Sequence, residues 1–354
     1  MKLTYAIVSV TNNGSLLAGK IALWLSGEVQ VYAKDGRNLD PEAEVYSDLS
    51  ALVQELFPKV DGIIFIMATG IVVRTISPLL VHKSKDPAII VMDEKGQHVI
   101  SLLSGHIGGA NRLATEIAEI VEGTPVITTA TDVQKKTAPD MVAVNLELEI
   151  ESFEAAKELA SLTVNGKKVL YFVDETLPDV ELYRKRAQEM SVTLLEMSQM
   201  NQMEYDGAVV ITDHRIIHTT PVLFLRPPAL VAGIGCRRGT NGQKILKALR
   251  QVMAEEGRSL RSLQRLASVD VKEDEIGLLS VADQLELPIS FYSADELELP
   301  IREFNLVESE FVKKQIGVGN VCEAAAILAS NQGELIVKRK DFEGITIALA
   351  RVRF

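Results

Sequence analysis

Between Thr4 and Thr129, short apolar runs alternate with segments of helical period, and this alternation constrains the fold more than any other feature of the chain. TYAIVSV (4–10), VQVYAK, GIIFIMA and PVITT have the length and aliphatic content of strands. LLAGKIALWLSG puts Leu17, Ile21 and Leu25 on one helical face and stops at Gly27, while Leu113, Ile117, Ile120 and Val121 mark another helix starting near Ala110. AIIVMD and HVISLL flank EKGQ as a hairpin, and NNGSL after the first strand reads as a turn. The pattern predicts an α/β protein whose first domain, 1–137, is a three-layer sandwich of helices on a sheet.

With 354 residues the chain exceeds the size at which one core usually stops growing, so the reading is multi-domain. Pro139 and the acidic run in TAPDMVAVNLELEIES interrupt the pattern and open a small middle module of mixed helix and strand, 138–226. Pro227 and Pro228 then make a stiff entry into a C-terminal α/β domain, 227–354. Its helices are expected at about 241–256, 273–286, 309–315 and 320–330, and its strands at LASVD, PISFY and the terminal pair GELIVKRK and GITIALARV.

Several function classes are disfavoured at once. A net charge of −11 with no basic stripe interleaved with aromatics excludes a nucleic-acid partner. The longest apolar stretches fall short of the roughly 20 residues that cross a bilayer, and the N-terminus lacks a cleavage-type leader, so a cytoplasmic protein without a membrane partner is expected. Cys236 and Cys322 are too few for a disulfide framework. His82, His98, His214 and His218 have no partners at metal-ligand spacing, so no metal site is expected. P-loop, nucleophile-elbow and zinc-helix motifs are absent.

In an open α/β sheet, ligands gather where strands end and helices begin. Four such junctions stand out in the first domain: Thr11 to Ser15, Ala68-Thr69-Gly70, Ser104 to Asn111, and Thr128 to Asp132, all expected on one edge. In SGHIGGAN, Gly105, Gly108 and Gly109 permit positive φ and close backbone approach, and the following helix aims free N–H groups outward, which makes an anion site. His106 can carry a proton near neutral pH, and Asn111 can donate amide hydrogen bonds; the same glycines also suit a plain tight connection braced by His106. Asp132 can act as a base or simply cap the next segment, with Thr129 and Thr131 beside it. Arg74 can fork onto a carboxylate, although a solvated helix arginine is the commoner outcome. In the C-terminal domain GIGCRRGT is one residue too long for a dinucleotide fingerprint; Gly235, Arg237, Arg238 and Thr240, read as an N-cap, suggest a second anion-binding edge, with Cys236 a small buried residue.

SLLSGHIGGANRLATEIAEIVEGTPVITTATD, VAGIGCRRGT, LASVDVKEDEIGLLSVADQLELPISFYSADEL and SEFVKKQIGVGNVCEAAAILAS together resemble the CbiG family of anaerobic cobalamin biosynthesis, the cobalt-precorrin-5A hydrolases. The resemblance spans the chain in the family's order and is loosest in the middle module. It implies a ring-contracted, carboxylate-fringed tetrapyrrole substrate carrying its own cobalt, with no further cofactor. It also implies hydrolytic opening of a δ-lactone and release of acetaldehyde to leave cobalt-precorrin-5B. On that implication His106 or Asp132 is the expected base, and the N–H groups of Gly108, Gly109 and Asn111 are the expected oxyanion or carboxylate donors. Thr69, Gly70, Arg74, Ser104, Gly105, Thr129, Thr131, Gly235, Arg237, Arg238 and Thr240 complete the expected substrate contacts. A non-catalytic carrier of the same intermediate is the competing class. A homodimer and transient contact with other corrin-pathway enzymes stay open.

Overall fold

The computed structural model describes residues 2–82, 85–134, 136–218 and 220–353, which fold as two compact units, Met1–Met141 and Val142–Phe354. The first unit runs β1 (Thr4–Ser9), α1 (Asn12–Trp24), β2 (Glu28–Lys34), β3 (Glu44–Tyr46), α2 (Leu49–Leu56), β4 (Gly62–Ile66), α3 (Thr69–Ile76), β5 (Ala88–Met92), β6 (His98–Leu103), α4 (Ala110–Val121), β7 (Thr124–Val126) and α5 (Ala130–Val133). A sixth helix, α6 (Pro139–Asn145), carries the chain across the boundary.

The strands of this unit form one sheet in the order β3-β2-β1-β4-β5-β6-β7. The central strand β4 shows why helices cover both faces, since GIIFI is buried at every position. Ile64 and Ile66 pack with Ala18 and Ile21 of α1 and Leu113 and Ile117 of α4. Ile63 and Phe65 pack on the other face with Val53 of α2 and Val72 of α3. Burying each such side chain contributes about 1.5–3 kcal/mol.

Two local expectations are corrected. NNGSL is the first turn of α1 rather than a loop: Thr11 is its N-cap, with Oγ1 accepting from Gly14 N at 3.0 Å. Gly14 permits that start, because a Cβ there would lie 3.0 Å from Thr11 Oγ1 and 3.3 Å from Ser9 Cβ. The larger correction concerns the edge on which the loops lie. Strands β1 to β5 are parallel, but β6 turns back antiparallel to β5, pairing Leu103 with Ile89 and Val99 with Met92, and β7 follows β6. The C-terminal ends of β6 and β7 therefore lie at the opposite edge from those of β1 and β4. Thr11, Thr69, Gly70 and Arg74 occupy one edge; Ser104 to Asn111 and Thr129 to Asp132 occupy the other.

The second unit holds two sheets. The first contains β8 (Glu149–Ile150), α7 (Phe153–Val164), β9 (Val169–Val173), α8 (Val180–Glu189), β10 (Leu194–Glu196), β11 (Gly207–Ile211) and β12 (Val222–Arg226), in strand order β10-β9-β11-β12-β8. The second contains β13 (Leu230–Cys236), α9 (Gly242–Glu255), β14 (Leu263–Val269), α10 (Ile276–Leu285), β15 (Ile289–Tyr292), α11 (Ala294–Glu303), α12 (Glu310–Ile316), α13 (Cys322–Ala329), β16 (Leu335–Phe342) and β17 (Ile345–Arg351), in order β15-β14-β13-β17-β16. The chain is thus α/β throughout. Among the described residues no helix is long and apolar enough to cross a membrane.

Candidate active site

Strand β6 ends at Leu103, and Ser104 takes a left-handed turn (φ 59°) with its hydroxyl donating to Asp86 O at 3.0 Å. The chain then closes on itself. Gly109 N donates to His106 O, Ala110 N to Ser104 O and Asn111 N to Gly105 O. A Cβ on Gly108 would sit 2.4 Å from Ser104 Cβ, and one on Gly105 2.7 Å from Asn111 Oδ1, while Gly109 adopts φ +81°. The glycines are therefore needed for this self-packed turn.

The closure corrects the anion-site reading. The Gly109 and Asn111 N–H groups are engaged inside the loop and cannot serve an oxyanion; of the three expected donors, Gly108 N–H alone has no acceptor among the described residues. What the turn presents is the imidazole of His106. Nε2 lies 2.9 Å from Asp132 Oδ2, and Nδ1 lies 3.2 Å from Asp140 Oδ1. Thr131 Oγ1 stands 3.3 Å from Nε2.

Asn111, buried on the first turn of α4, fixes the second partner. Its Nδ2 donates to Asp132 Oδ2 at 3.0 Å and to Thr129 Oγ1 at 3.2 Å, while its Oδ1 accepts from Ser101 Oγ at 2.6 Å. Oδ2 of Asp132 is thus held from two sides. The side chains of His106 and Asp140 are 15% and 10% exposed, whereas that of Asp132 is 40% exposed, so Asp132 is the member of the unit that meets solvent.

The hydrogen bond to Asp140 raises the His106 pKa above its ordinary value against the opposing effect of burial, and the hydrogen bond to Asp132 adds to it. The protonated ring donates from both nitrogens. Of the two candidate bases, the raised pKa favours a proton on His106, and Asp132 carries the more exposed carboxylate. Asp140 was not anticipated. Its sequence signal was Pro-Asp at the start of α6, where Pro suits the first helical position and the carboxylate suits the helix N-terminus.

The other expected contacts lie elsewhere. At the opposite edge of the first unit, Arg74 Nη1 donates back to Gly70 O at 2.9 Å, and Thr69 opens α3 without a side-chain cap at Ala68. In the second unit GIGCRRGT is closed by its own acids. Arg238 donates to Asp274 Oδ1 at 2.7 Å and to Val271 O at 2.9 Å, and Gly239 N donates to both carboxylate oxygens of the buried Glu275 at 3.1 and 3.2 Å. Thr240 is not the N-cap: its hydroxyl donates to Arg237 O, and Asn241 caps α9 through Gln243 N. Cys236 is half-buried, and burial pushes its thiol pKa up, which suits a packing residue. Gly235 approaches Thr346 so closely that a Cβ would lie 2.5 Å from its Oγ1.

A polar cluster that spacing did not reveal lies at the middle sheet. Asp174, Asp213 and His214 present ligand-type atoms within 4.8 Å of one another. Asp213 is already held by Arg258 and Arg351, and Asp174 by Thr176 and Thr212, which makes the cluster an ion-pair junction. The adjacent Arg226, fully buried, pairs with Glu151 and donates to the carbonyls of Thr212 and His214.

Fold and site together define a multi-domain α/β protein with a carboxylate–imidazole–carboxylate proton-handling unit at one sheet edge. The family models for the N-terminal region, the central region and the C-terminus of cobalamin synthesis protein G match residues 51–132, 137–227 and 230–350. The cobalt-precorrin-5A hydrolase of Priestia megaterium is 31% identical over 364 residues, covering 99% of this chain and 95% of that protein. That of Salmonella typhimurium is 35% identical over 301 residues, covering 84% and 83%. A solved cobalamin biosynthesis protein G homolog from Sulfolobus solfataricus is 18% identical with a TM-score of 0.38, covering 99% of each chain. The chain belongs to the cobalamin synthesis G, or CbiG, family.

Proposed function

We propose that the chain is a cobalt-precorrin-5A hydrolase and that its proton chemistry is carried by His106, Asp132 and Asp140. The substrate assignment is supported by relatives of that name that match 99% and 84% of the chain. The chemical assignment is carried by one observation: an imidazole clamped between a buried and a solvent-facing carboxylate.

Lactone hydrolysis needs a base for the attacking water and a proton for the departing oxygen. In this reading the free Oδ1 of Asp132 takes the proton from water as it adds to the lactone carbonyl. The ring C–O bond then breaks, and Asp132 returns that proton to the leaving alkoxide, leaving an acid and an alcohol. Asp132, again a carboxylate, takes the alcohol's proton, which lets its carbon leave with the methyl group as acetaldehyde; the electron pair of the broken C–C bond passes to the substrate's macrocycle, and Asp132 then releases the proton to solvent. His106, held protonated by Asp140, keeps Asp132 in place throughout. Asn111 and Thr131 position the pair. The cobalt belongs to the substrate, and no other cofactor enters the scheme.

Incubation of purified full-length protein with cobalt-precorrin-5A, with acetaldehyde trapped and quantified, tests the assignment. Stoichiometric acetaldehyde and cobalt-precorrin-5B are expected. Substrate that binds and is returned unchanged would show a carrier and overturn it.

A further inference from the structure

The second unit contains a cavity of about 670 Å³ beside the C-terminal ends of β13 and β14, walled on its far side by α12 and the start of α13. One of its lining residues is unusual. Lys272 closes the 3-10 turn after β14 and is only 6% exposed, yet among the described residues its ammonium has neither a hydrogen-bond nor an ion-pair partner. Its ammonium keeps some solvent contact, unlike Ser262 Oγ and Arg265 Nε, which are occluded and unpaired among the described residues. Of the acids around it in sequence, Asp270 accepts from Val271 N, Asp274 is held by Arg238 and Glu275 is engaged with Gly239 N–H.

Lys272 is partly desolvated and has no close partner, and an anionic group entering the cavity would supply one. Arg237 lines the same cavity, also without a partner among the described residues; its side chain lies against Gly344, where a Cβ would be 2.9 Å from Nε. Arg339 adds a third cation, already paired with Asp341. Val269, Ile316 and Val321 supply apolar wall. The combination is a pocket of small-molecule size with apolar sides and two positive charges that have no hydrogen-bond or ion-pair partner among the described residues, Arg237 exposed and Lys272 felt by Asp274 only at longer range.

We propose that this cavity is a carboxylate-binding subsite, in which Lys272 and Arg237 hold acid side chains of the tetrapyrrole. The identity of the ligand rests on the hydrolase reading; the existence of the subsite does not. It shares Arg237 with the loop reading of GIGCRRGT but adds Lys272 and leaves out Arg238 and Gly239, which are taken by Asp274 and Glu275.

The test uses the full chain and uroporphyrin III, an octacarboxylate tetrapyrrole followed by fluorescence. Saturable one-to-one binding is expected. Lys272→Met should weaken it roughly tenfold or more, as loss of a desolvated charge-assisted contact does. Lys244→Met, on the exposed face of α9, should leave it unchanged. The melting temperature of Lys272→Met should equal or exceed that of the parent, since no native pair is lost. Absence of saturable binding, equal affinity of Lys272→Met, or a lowered melting temperature with unchanged affinity overturns the proposal. Tricarballylate provides a further arm: competition as strong as that of a second tetrapyrrole would assign the pocket to free polycarboxylates instead. Acetaldehyde assays on the same samples separate the two readings. Lys272-dependent binding without acetaldehyde leaves the subsite and removes the hydrolase, whereas turnover with an unchanged KM in Lys272→Met does the reverse.

Discussion

The loops Ser104–Asn111 and Gly235–Asn241 look alike in sequence: each follows or ends a strand, carries glycines and opens a helix. The fold treats them differently. In the first unit the loop turns the N–H groups of Gly109, Ala110 and Asn111 back onto itself and presents a histidine to two incoming carboxylates, Asp132 and Asp140. In the second unit the loop is sealed by Asp274 and Glu275, and Arg237 and Lys272 line a cavity behind it. A glycine turn therefore sets where a backbone can go; the acids that tertiary structure delivers to it set its chemistry.

Substitution of the acids should separate the two loops most sharply. Asp132→Asn is expected to lower acetaldehyde release by about 100- to 10,000-fold, the usual size of a lost acid–base contribution. Glu275→Gln should leave the rate per folded molecule within about twofold and cost about 1 kcal/mol of stability, read by denaturant melting, as a net hydrogen bond does. A large rate loss in Glu275→Gln would break the contrast.

The glycines sharpen it further. Gly109 and Gly239 have φ +81° and +71°, and an added Cβ meets nothing closer than 3.9 Å at the first and nothing within 4 Å at the second. Gly109→Ala and Gly239→Ala should each cost about 1–2 kcal/mol from left-handed strain alone. Only the first should also lower the rate, by shifting the backbone next to His106. Equal effects on rate would mean the loops share one function.

The smallest expected effect is in the pH dependence of stability. Because the folded pKa of His106 is raised, its contribution is fully present below the unfolded value near 6.5 and is lost as pH rises through the folded value. The melting difference between the parent and Asp140→Asn should therefore shrink as pH rises above about 6.5. A difference that grows with pH would reverse the assignment of the proton.

Much of this architecture is legible in the chain. Continuous burial of GIIFI, the apolar face of α4 and the EKGQ hairpin follow from period and turn chemistry. The direction in which a loop leaves the sheet does not, because hydrophobic period is the same for a strand run in either sense; the hairpin reverses β6 and takes His106 away from Thr69 and Arg74. Residues that act through long-range approach were equally hidden. Asp140 lies 34 positions from His106 in a segment that otherwise marks a boundary, and Lys272 is an ordinary lysine until its burial is known. The helix α11 was missed although Ser293 and Glu296 form a capping box, since Pro300 in its interior argues locally against a helix.

The most direct test of the account is the pH–rate profile of acetaldehyde release for the parent and for Asp140→Asn. If protonated His106 is the group that orders Asp132, the parent's activity should fall with rising pH only above the ordinary histidine range. In Asp140→Asn, having lost the hydrogen bond that chiefly raises that pKa, the fall should come at lower pH and from a lower plateau. Superimposable profiles for the two proteins would contradict a catalytic role for the Asp132–His106–Asp140 unit.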